Sequence, residues 1–272
     1  MSRFPDLSPA AARRLNLFAK KTGRGINRFR MIDPGDRILI GVSGGKDSLA
    51  LCVALAERLA WVPVRYHCEA LIIDWTEQPT PPEHLERVRA FLDRLEIPSR
   101  VIASSFYAMS RDRPFNCYIC SRNRKRILFR EAEKLGISKI ALGHHRDDII
   151  ETTLMNLFFR GEFSTMMPVQ EFFEGRMRII RPLCEVEERD IDRLSAVIEL
   201  PVFSVDCPRK DQSRRLLIKQ LIRQARRVNR HVKENLYNAP WRINAAYLPT
   251  ALGAGTARTL SEAAEPDYSE QA

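Results

Sequence analysis

Short apolar runs alternate with stretches of helical spacing through the middle of the chain, and this alternation restricts the fold more than any other feature. Apolar runs of roughly four to eight residues predict strands, and longer stretches with apolar residues three and four apart predict helices. The predicted strands cover residues 37–42, 70–74, 100–104 and 139–143, and the predicted helices cover 47–59, 80–95, 121–135 and 147–159. Strands separated by helices need crossover connections and therefore run parallel. We expect an α/β fold with a doubly wound, mostly parallel sheet of about five strands, helices on both faces and a ligand site at the carboxyl ends of the strands.

Helical extensions are expected on both sides of this core. Ser8 and Pro9 are typical of a helix start and predict a short basic helix over 11–22. Two more helices are predicted over 187–200 and 212–236, the second with an apolar stripe at Leu217, Leu221, Ala225 and Val228. The expected parts are a basic N-terminal helical extension (1–30), a nucleotide-binding domain (31–206), a basic C-terminal helical region (207–250) and a disordered tail (251–272).

Positive charge is concentrated at two places in a chain of formal net charge +10. Residues 209–233 contain ten Lys or Arg and one Asp, and residues 1–30 contain eight Lys or Arg and one Asp. Neutralisation of phosphates with release of counterions supplies most sequence-independent affinity for nucleic acids. The two basic regions therefore favour a bound polyanion, although two solvated helix faces would have the same composition.

The sequence has no run of about 18 apolar residues, and residues 1–10 lack the apolar stretch of a secretory signal. We therefore expect a cytoplasmic protein with no membrane partner. Six cysteines are too few for a disulfide scaffold in 272 residues. In a reducing compartment, the C-x-x-C pair of Cys117 and Cys120 indicates metal or redox chemistry.

The segment Gly41-Val42-Ser43-Gly44-Gly45-Lys46-Asp47-Ser48 joins the first predicted strand to its helix. Glycines let the backbone curl with its N–H groups inward, and the helix N-terminus adds about half a positive charge, so this turn is suited to bind phosphate. It is not a Walker A loop, because Asp47 follows Lys46 where that motif needs Ser or Thr.

The same segment resembles the SGGxDS signature of the PP-loop ATP pyrophosphatases, which cleave ATP to AMP and pyrophosphate. The resemblance implies phosphate contacts from Ser43, Gly44, Gly45, Asp47 and Ser48. It also implies that Lys46 neutralises the charge that develops on the leaving group. Asp74, at the end of the second predicted strand, would meet the adenosine moiety, and a role as a strand-end turn residue is the alternative.

The segment Gly143-His144-His145-Arg146-Asp147-Asp148 follows the fourth predicted strand and should face the same crevice. Paired carboxylates could hold Mg²⁺ against phosphate oxygens, whereas Asp147 could instead cap the following helix. The hexapeptide GHHRDD resembles the corresponding segment of the tRNA 2-thiocytidine synthetases. That resemblance implies that Asp147 and Asp148 are active-site acids, and we include Gly143 in the nucleotide site.

Cys117 and Cys120 precede a predicted basic helix, whose N-terminus and arginines would stabilise their thiolates. The pair alone is compatible with zinc, redox or cluster chemistry, and Cys207 is the best further ligand. The other cysteines, Cys52, Cys68 and Cys184, are interpreted as buried or structural residues. A C-x-x-C pair followed after 86 residues by a third Cys resembles the [4Fe-4S] ligands of the 2-thiocytidine synthetases. Three protein ligands would leave one iron open to carry or activate sulfide.

The resemblance extends over about residues 26–224 and implies ATP-dependent thiolation of a tRNA. AMP would be transferred to the C2 oxygen of a cytidine in the single-stranded anticodon loop, position 32 in that family, and sulfur would replace the activated oxygen. The implied cofactors are ATP, Mg²⁺ and the [4Fe-4S] cluster. The implied partners are tRNA and a sulfur donor such as a cysteine desulfurase, and a homodimer is compatible with the sequence. The candidates for contacts with tRNA phosphates are Arg122, Arg124, Lys125, Arg126 and the basic residues of 209–233.

Other functions share part of this pattern. A lysidine synthetase would use the same loop but needs no cysteines, and a 2-thiouridine synthetase of related type adds further C-x-x-C zinc pairs. A zinc-bearing tRNA-binding module with a vestigial ATP site belongs to a different class, and it would contain colourless zinc and release no pyrophosphate.

Overall fold

One six-stranded sheet forms the centre of the protein. The structure is a computed structural model that describes residues 3–105, 117–203 and 214–247, without the side chains of Cys117, Tyr118 and Ala245. Its strands are β1 Arg37–Val42, β2 His67–Trp75, β3 Ser99–Ser104, β4 Lys139–Ala141, β5 Val169–Phe172 and β6 Met177–Ile180. The strand order is β3-β2-β1-β4-β6-β5, and every neighbouring pair is parallel except β5 with β6. The predicted α/β class and mostly parallel sheet are confirmed.

Eight α-helices accompany the sheet in the described part of the chain. They are α1 Pro9–Arg28, α2 Lys46–Trp61, α3 Pro82–Arg94, α4 Cys117–Lys134, α5 Arg146–Arg160, α6 Glu188–Ile198, α7 Arg214–Val228 and α8 Val232–Asn238. Ser8 caps α1 as expected, since its Oγ accepts a hydrogen bond from the N–H of Ala11 at 3.3 Å. The predicted helix over 212–236 is instead two helices, α7 and α8. The predicted tail over 251–272 lies outside the described residues.

The sequence pattern does not predict the antiparallel hairpin of β5 and β6. Each strand has only four residues, and polar side chains interrupt both, so the apolar run is too short to stand out. The hairpin turn contains Phe173, Glu174 and Gly175, all with positive φ. This hairpin adds the last two strands at the β4 side of the sheet.

Both faces of the sheet are covered, as a parallel sheet requires. Ile38 and Ile40 of β1 belong to the larger apolar cluster, to which α1, α2, α3 and α6 also contribute. Leu39, between them, belongs to a second cluster with Leu128 and Ala132 of α4. Alternate residues of a strand point to opposite faces, so β1 stabilises both layers. Among the described residues, no helix has the length and apolar character needed to cross a membrane.

The buried residues of α7 lie beside the apolar stripe of the sequence and not on it. Ile218 and Ile222 are buried, whereas the predicted stripe residues Leu217, Leu221, Ala225 and Val228 are exposed. Both sets have helical spacing, so periodicity alone does not say which of two adjacent faces meets the core. The apolar stripe noted in the sequence is therefore an exposed face of α7.

The packing of α7 predicts different effects of two neighbouring substitutions. Ile218 is 0% exposed and Leu217 is 48% exposed. Ile218→Ala should lower the free energy of unfolding by about 2–5 kcal/mol, because it leaves a cavity in the core. Leu217→Ala should change it by less than about 0.5 kcal/mol. Urea denaturation of both variants measures this, and equal losses would contradict the observed orientation of α7.

Candidate functional site

A cavity of about 410 Å³ opens at the carboxyl ends of β1, β2 and β4. This is the edge of the sheet at which doubly wound folds bind their ligands, and the volume falls in the range of roughly 300–1,000 Å³ that is usual for ligand sites. Six predicted site residues from three separate segments line it: Ser43, Asp47, Ser48, Cys120, Gly143 and Asp148. The basic candidates Arg124 and Lys125 also line it. The structure thus brings the phosphate loop, Cys120 and the GHHRDD segment to one space.

The loop between β1 and α2 is held in shape by its own serines. The Ser48 hydroxyl accepts a hydrogen bond from the N–H of Ser43 at 3.2 Å and donates one to the carbonyl of Gly45 at 2.9 Å. Gly44 has a φ of +78°, a conformation that favours glycine. The ring of Phe203 covers this glycine, since a Cβ built on Gly44 would lie 2.2 Å from it. The N–H of Phe203 donates to the Gly44 carbonyl at 3.1 Å, so the segment after α6 is attached to the loop.

Gly143 allows the loop after β4 to contact the phosphate loop. A Cβ at this position would lie 2.9 Å from backbone atoms of Asp47 and Ser48. The side chain of Asp47 is partly buried, and its Oδ1 is buried with no hydrogen-bond partner among the described residues. Burial raises the pKa of Asp47, although His145 and Lys46 partly offset this. A buried acceptor without a donor beside a cavity is suited to bind a ligand or a cation.

His144 also lines the cavity and was not among the predicted site residues. Burial and the positive charge of Arg181 lower its pKa to about 3, so its imidazole is neutral at physiological pH. Its Nδ1 is buried and has no hydrogen-bond partner within the described part of the chain. The imidazole can therefore accept or donate a hydrogen bond in the cavity without carrying a charge.

The two acids of GHHRDD have different environments at the start of α5. His145 is the N-cap, because its Nδ1 accepts from the N–H of Asp148 at 3.3 Å and Asp148 accepts from the N–H of His145 at 2.9 Å. The alternative that Asp147 caps the helix is therefore wrong. Asp147 instead accepts from the N–H of Glu188 at 2.8 Å and pairs with Lys233 of α8. Burial alone would raise the pKa of Asp147, but these donors lower it.

A chain of ion pairs joins the phosphate loop to α6 and α7. The ammonium of Lys46 lies 2.5 Å from Asp192 and 3.2 Å from Glu188, both on α6. Lys219 of α7 lies 3.1 Å from the same Glu188. Arg215 is 3.4 Å from Asp148. Lys46 is therefore held by carboxylates here, and its role in stabilising a leaving group stays a prediction.

Asp74 lies at the end of β2, and its Oδ1 accepts a hydrogen bond from the N–H of Thr80 at 2.8 Å. It is not among the residues that line the cavity. This geometry favours the alternative of a strand-end turn residue, and contact with an adenosine stays a prediction.

The described cysteines differ in position: one pair lies at the start of α4, and the others lie elsewhere in the fold. Cys117 and Cys120 lie in the first turn of α4, one helical turn apart, rather than before the helix. Cys52 and Cys184 are buried, as predicted, and burial raises the pKa of the half-buried Cys68 to about 12. Cys207 lies outside the described residues. Among the described side chains, no three His, Cys, Asp or Glu are grouped as ligands of one metal ion.

Known proteins are similar to this chain in sequence. The family model of the PP-loop domain matches residues 9–225. The tRNA-cytidine(32) 2-sulfurtransferase of Herminiimonas arsenicoxydans is 34% identical over 81% of this chain and 70% of its own length. That of Methylobacillus flagellatus is 32% identical over 91% of this chain and 83% of its own length. The chain belongs to the tRNA-cytidine(32) 2-sulfurtransferase family of PP-loop proteins.

One solved structure has a fold similar to that of this chain. The U34-tRNA thiolase NcsA from Methanococcus maripaludis, determined with its [4Fe-4S] cluster, aligns with a TM-score of 0.65 and 19% identity. The alignment covers 83% of this chain and 78% of NcsA. At this identity the likeness establishes the common PP-loop fold.

Several residues around the PP-loop cavity were not predicted as site residues. Phe203 covers Gly44, and Glu151 and Glu188 both pair with Lys219 of the basic region. His144 could have been included from the sequence, because it lies inside the GHHRDD segment that carried the family resemblance. Phe203, Glu151 and Glu188 have no local signal, since only the packing of distant helices places them here.

The close contact at Gly143 predicts that Gly143→Ala weakens ATP binding. The added methyl group would meet the backbone of Asp47 and Ser48 at 2.9 Å, so the two loops must separate. Overpacking costs about 1–3 kcal/mol, which corresponds to a roughly 5- to 150-fold higher Kd. Isothermal titration calorimetry with ATP measures the change. Gly23→Ala is the control, because Gly23 lies in α1 away from the cavity and its methyl group would meet the flexible end of the Arg58 side chain at 3.1 Å. Equal weakening by both substitutions would contradict the argument.

The raised pKa of Glu151 predicts that the stability of the protein depends on pH. Burial raises its pKa from 4.5 to about 7, despite attraction by Lys219 and Arg215. Between those values the folded protein holds a proton that the unfolded chain releases, so this contribution is complete at low pH and is lost as the pH rises through about 7. From about pH 5 to pH 8, the free energy of unfolding should fall more in the wild type than in Glu151→Gln, by about 1.4 kcal/mol per unit of raised pKa. Parallel denaturation profiles for the two proteins would contradict this.

Proposed function

We propose that this protein is an ATP-dependent tRNA sulfurtransferase that replaces the C2 oxygen of a cytidine, at position 32 of the anticodon loop, with sulfur. The observation that carries the proposal is the shared cavity, which Cys120 lines together with Ser43, Ser48 and Asp148. A nucleotide site and a sulfur site that open onto one space can act on the same nucleobase. The named relatives supply the substrate and its position.

The phosphate loop supports ATP as a substrate of this reaction. Its backbone and the N-terminus of α2 favour bound phosphate. Lys46 would exchange its carboxylate partners for the departing pyrophosphate. Asp47, whose buried Oδ1 has no hydrogen-bond partner among the described residues, and Asp148 are the oxygen donors at the cavity that suit Mg²⁺.

The chemistry that follows is activation and substitution. The C2 oxygen of the cytidine attacks the α-phosphorus of ATP, and pyrophosphate leaves with the electron pair of the broken P–O bond. A sulfur nucleophile then adds to C2, and AMP leaves with the original oxygen. Neutral His144 lines the cavity and can orient the base by a hydrogen bond.

The positions of the cysteines fit a cluster at this cavity. Cys120 lines it, and Cys117 is one helical turn away. The described residues on either side of Cys207 in the sequence are Phe203 and Arg214. Phe203 is hydrogen-bonded to the phosphate loop, and Arg214 precedes the cavity residue Arg215. We propose Cys207, which lies between these two residues in the sequence, as the third ligand. With three thiolate ligands, a bound [4Fe-4S] cluster would supply an open iron position for sulfur.

Positive side chains near the cavity fit an RNA substrate. Arg124 and Lys125 line the cavity, and α7 presents exposed Arg223, Arg226 and Arg227. Such a surface neutralises phosphates of the tRNA backbone. The target base lies in a single-stranded loop, where extrusion from the stack costs little. A donor such as a cysteine desulfurase would deliver the sulfur.

Thiolation in vitro tests this proposal. Anaerobically purified protein should be brown and contain iron, and with ATP, sulfide and unmodified tRNA it should form 2-thiocytidine, detected by mass spectrometry of digested nucleosides. Cys117→Ala, Cys120→Ala and Cys207→Ala should each abolish thiolation while ATP still binds, because each removes one thiolate ligand.

Cys68→Ala is the matched control. Cys68 is the second residue of β2, at the opposite edge of the sheet from the cavity, and its loss should leave thiolation intact. Formation of 2-thiouridine instead would assign a different substrate. If the protein contains stoichiometric, colourless zinc and releases no pyrophosphate, the proposed enzymatic activity is contradicted. That result would favour a tRNA-binding module.

A further inference from the structure

The carboxylate of Glu188 is shared by two lysines from distant parts of the chain. Its oxygens lie 3.2 Å from the ammonium of Lys46 and 3.1 Å from that of Lys219. Glu188 is the first residue of α6, and its N–H is fixed by a hydrogen bond of 2.8 Å to Asp147. The carboxylate therefore lies between the two ammonium groups on a backbone that is itself held in place.

The three side chains are partly shielded from solvent. The exposed fractions are 29% for Lys46, 32% for Glu188 and 36% for Lys219. Burial alone would raise the pKa of Glu188, but the two lysines lower it to about 2, so the group stays ionised at physiological pH. The negative charge of a partly buried carboxylate is stabilised by its two cationic partners. This stabilisation decreases when one partner moves away, and it decreases further when both partners do.

The two lysines belong to different binding surfaces. Lys46 starts α2 directly after the phosphate loop, whereas Lys219 lies in α7 among the basic residues of 209–233. A phosphate ligand at either surface competes with Glu188 for the lysine. Once one lysine is engaged by phosphate, Glu188 depends on the other lysine alone and holds it more strongly.

We propose that Glu188 is a positioning residue that couples the two substrate sites, so that bound tRNA weakens ATP binding through Lys219 and Lys46. The inference rests on the proposed function, because it takes ATP and tRNA as the two ligands. By linkage, ATP weakens tRNA binding by the same factor. The antagonism favours release of the nucleotide products while the tRNA is still engaged.

Two neighbouring acids provide matched controls. Asp192 lies 2.5 Å from Lys46, and no ion pair joins it to Lys219 among the described residues. Glu151 lies 3.7 Å from Lys219 and 3.2 Å from Arg215, and within the described part of the chain it has no ion pair with Lys46. At pH 8, where Glu151 is ionised, each control removes one negative charge beside one lysine only, whereas Glu188 pairs with both lysines.

The experiment measures the Kd of a non-hydrolysable ATP analogue with and without saturating tRNA. In the wild type, tRNA should raise this Kd about fivefold or more, the lower end of usual coupling between sites. Glu188→Gln, which keeps the side-chain volume, should bring the ratio close to one. Asp192→Asn should tighten binding of the analogue, and Glu151→Gln should alter tRNA affinity, and both should keep the wild-type ratio.

The outcomes separate this inference from the proposed function. A purely structural role of Glu188 would weaken both ligands and lower thermal stability without changing the ratio, which would overturn the coupling. If the ratio of the Kd with tRNA to the Kd without tRNA is one or below in the wild type, the coupling is also contradicted. The proposed sulfurtransferase function is not affected by that result. Failure of the wild type to bind either ligand would instead overturn the proposed function, and this inference with it.

Discussion

The contact between the loops that follow β1 and β4 is the constraint on which the site depends. The two strands are parallel neighbours, so both loops leave the sheet at the same edge. Gly143 has no side chain, and a Cβ there would lie only 2.9 Å from the backbone of Asp47. The two loops therefore place Asp47 and Ser48 beside His144 and Asp148 around one cavity. α4 supplies the remaining wall, with Cys120 in its first turn.

The electrostatics of the site follow from how each acid balances burial against partners. Asp147 and Glu188 have direct hydrogen-bonded lysine partners, and their pKa values fall despite burial. Glu151 is buried with cationic neighbours but no direct hydrogen bond from them, and its pKa rises to about 7. The lysines and arginines that satisfy these acids come from α7 and α8 and from the phosphate loop. The C-terminal helices are thus part of the site rather than a separate appendage.

The sequence predicted the elements and segments whose signals are local. β1 occupies the predicted residues, and the loops at 41–48 and 143–148 lie where the alternation of strands and helices places them. Prediction was wrong or incomplete where two local interpretations were equally good. His145 rather than Asp147 caps α5, and the apolar spacing of α7 did not indicate that Ile218, outside the noted stripe, is the buried residue. The hairpin of β5 and β6 was missed because its strands are too short and too polar to form a visible apolar run.

The sequence by itself determined the order of strands and helices from β1 to α5, the phosphate loop, the GHHRDD segment and the cysteine pair, because turn chemistry and apolar periodicity act over a few residues. Only the tertiary structure decided that Cys120 shares a cavity with Ser43 and Asp148, and that Phe203 covers Gly44. It also decided that Glu188 lies between Lys46 and Lys219. These contacts join residues far apart in the chain, and they depend on how helices pack across a sheet, which no local pattern encodes.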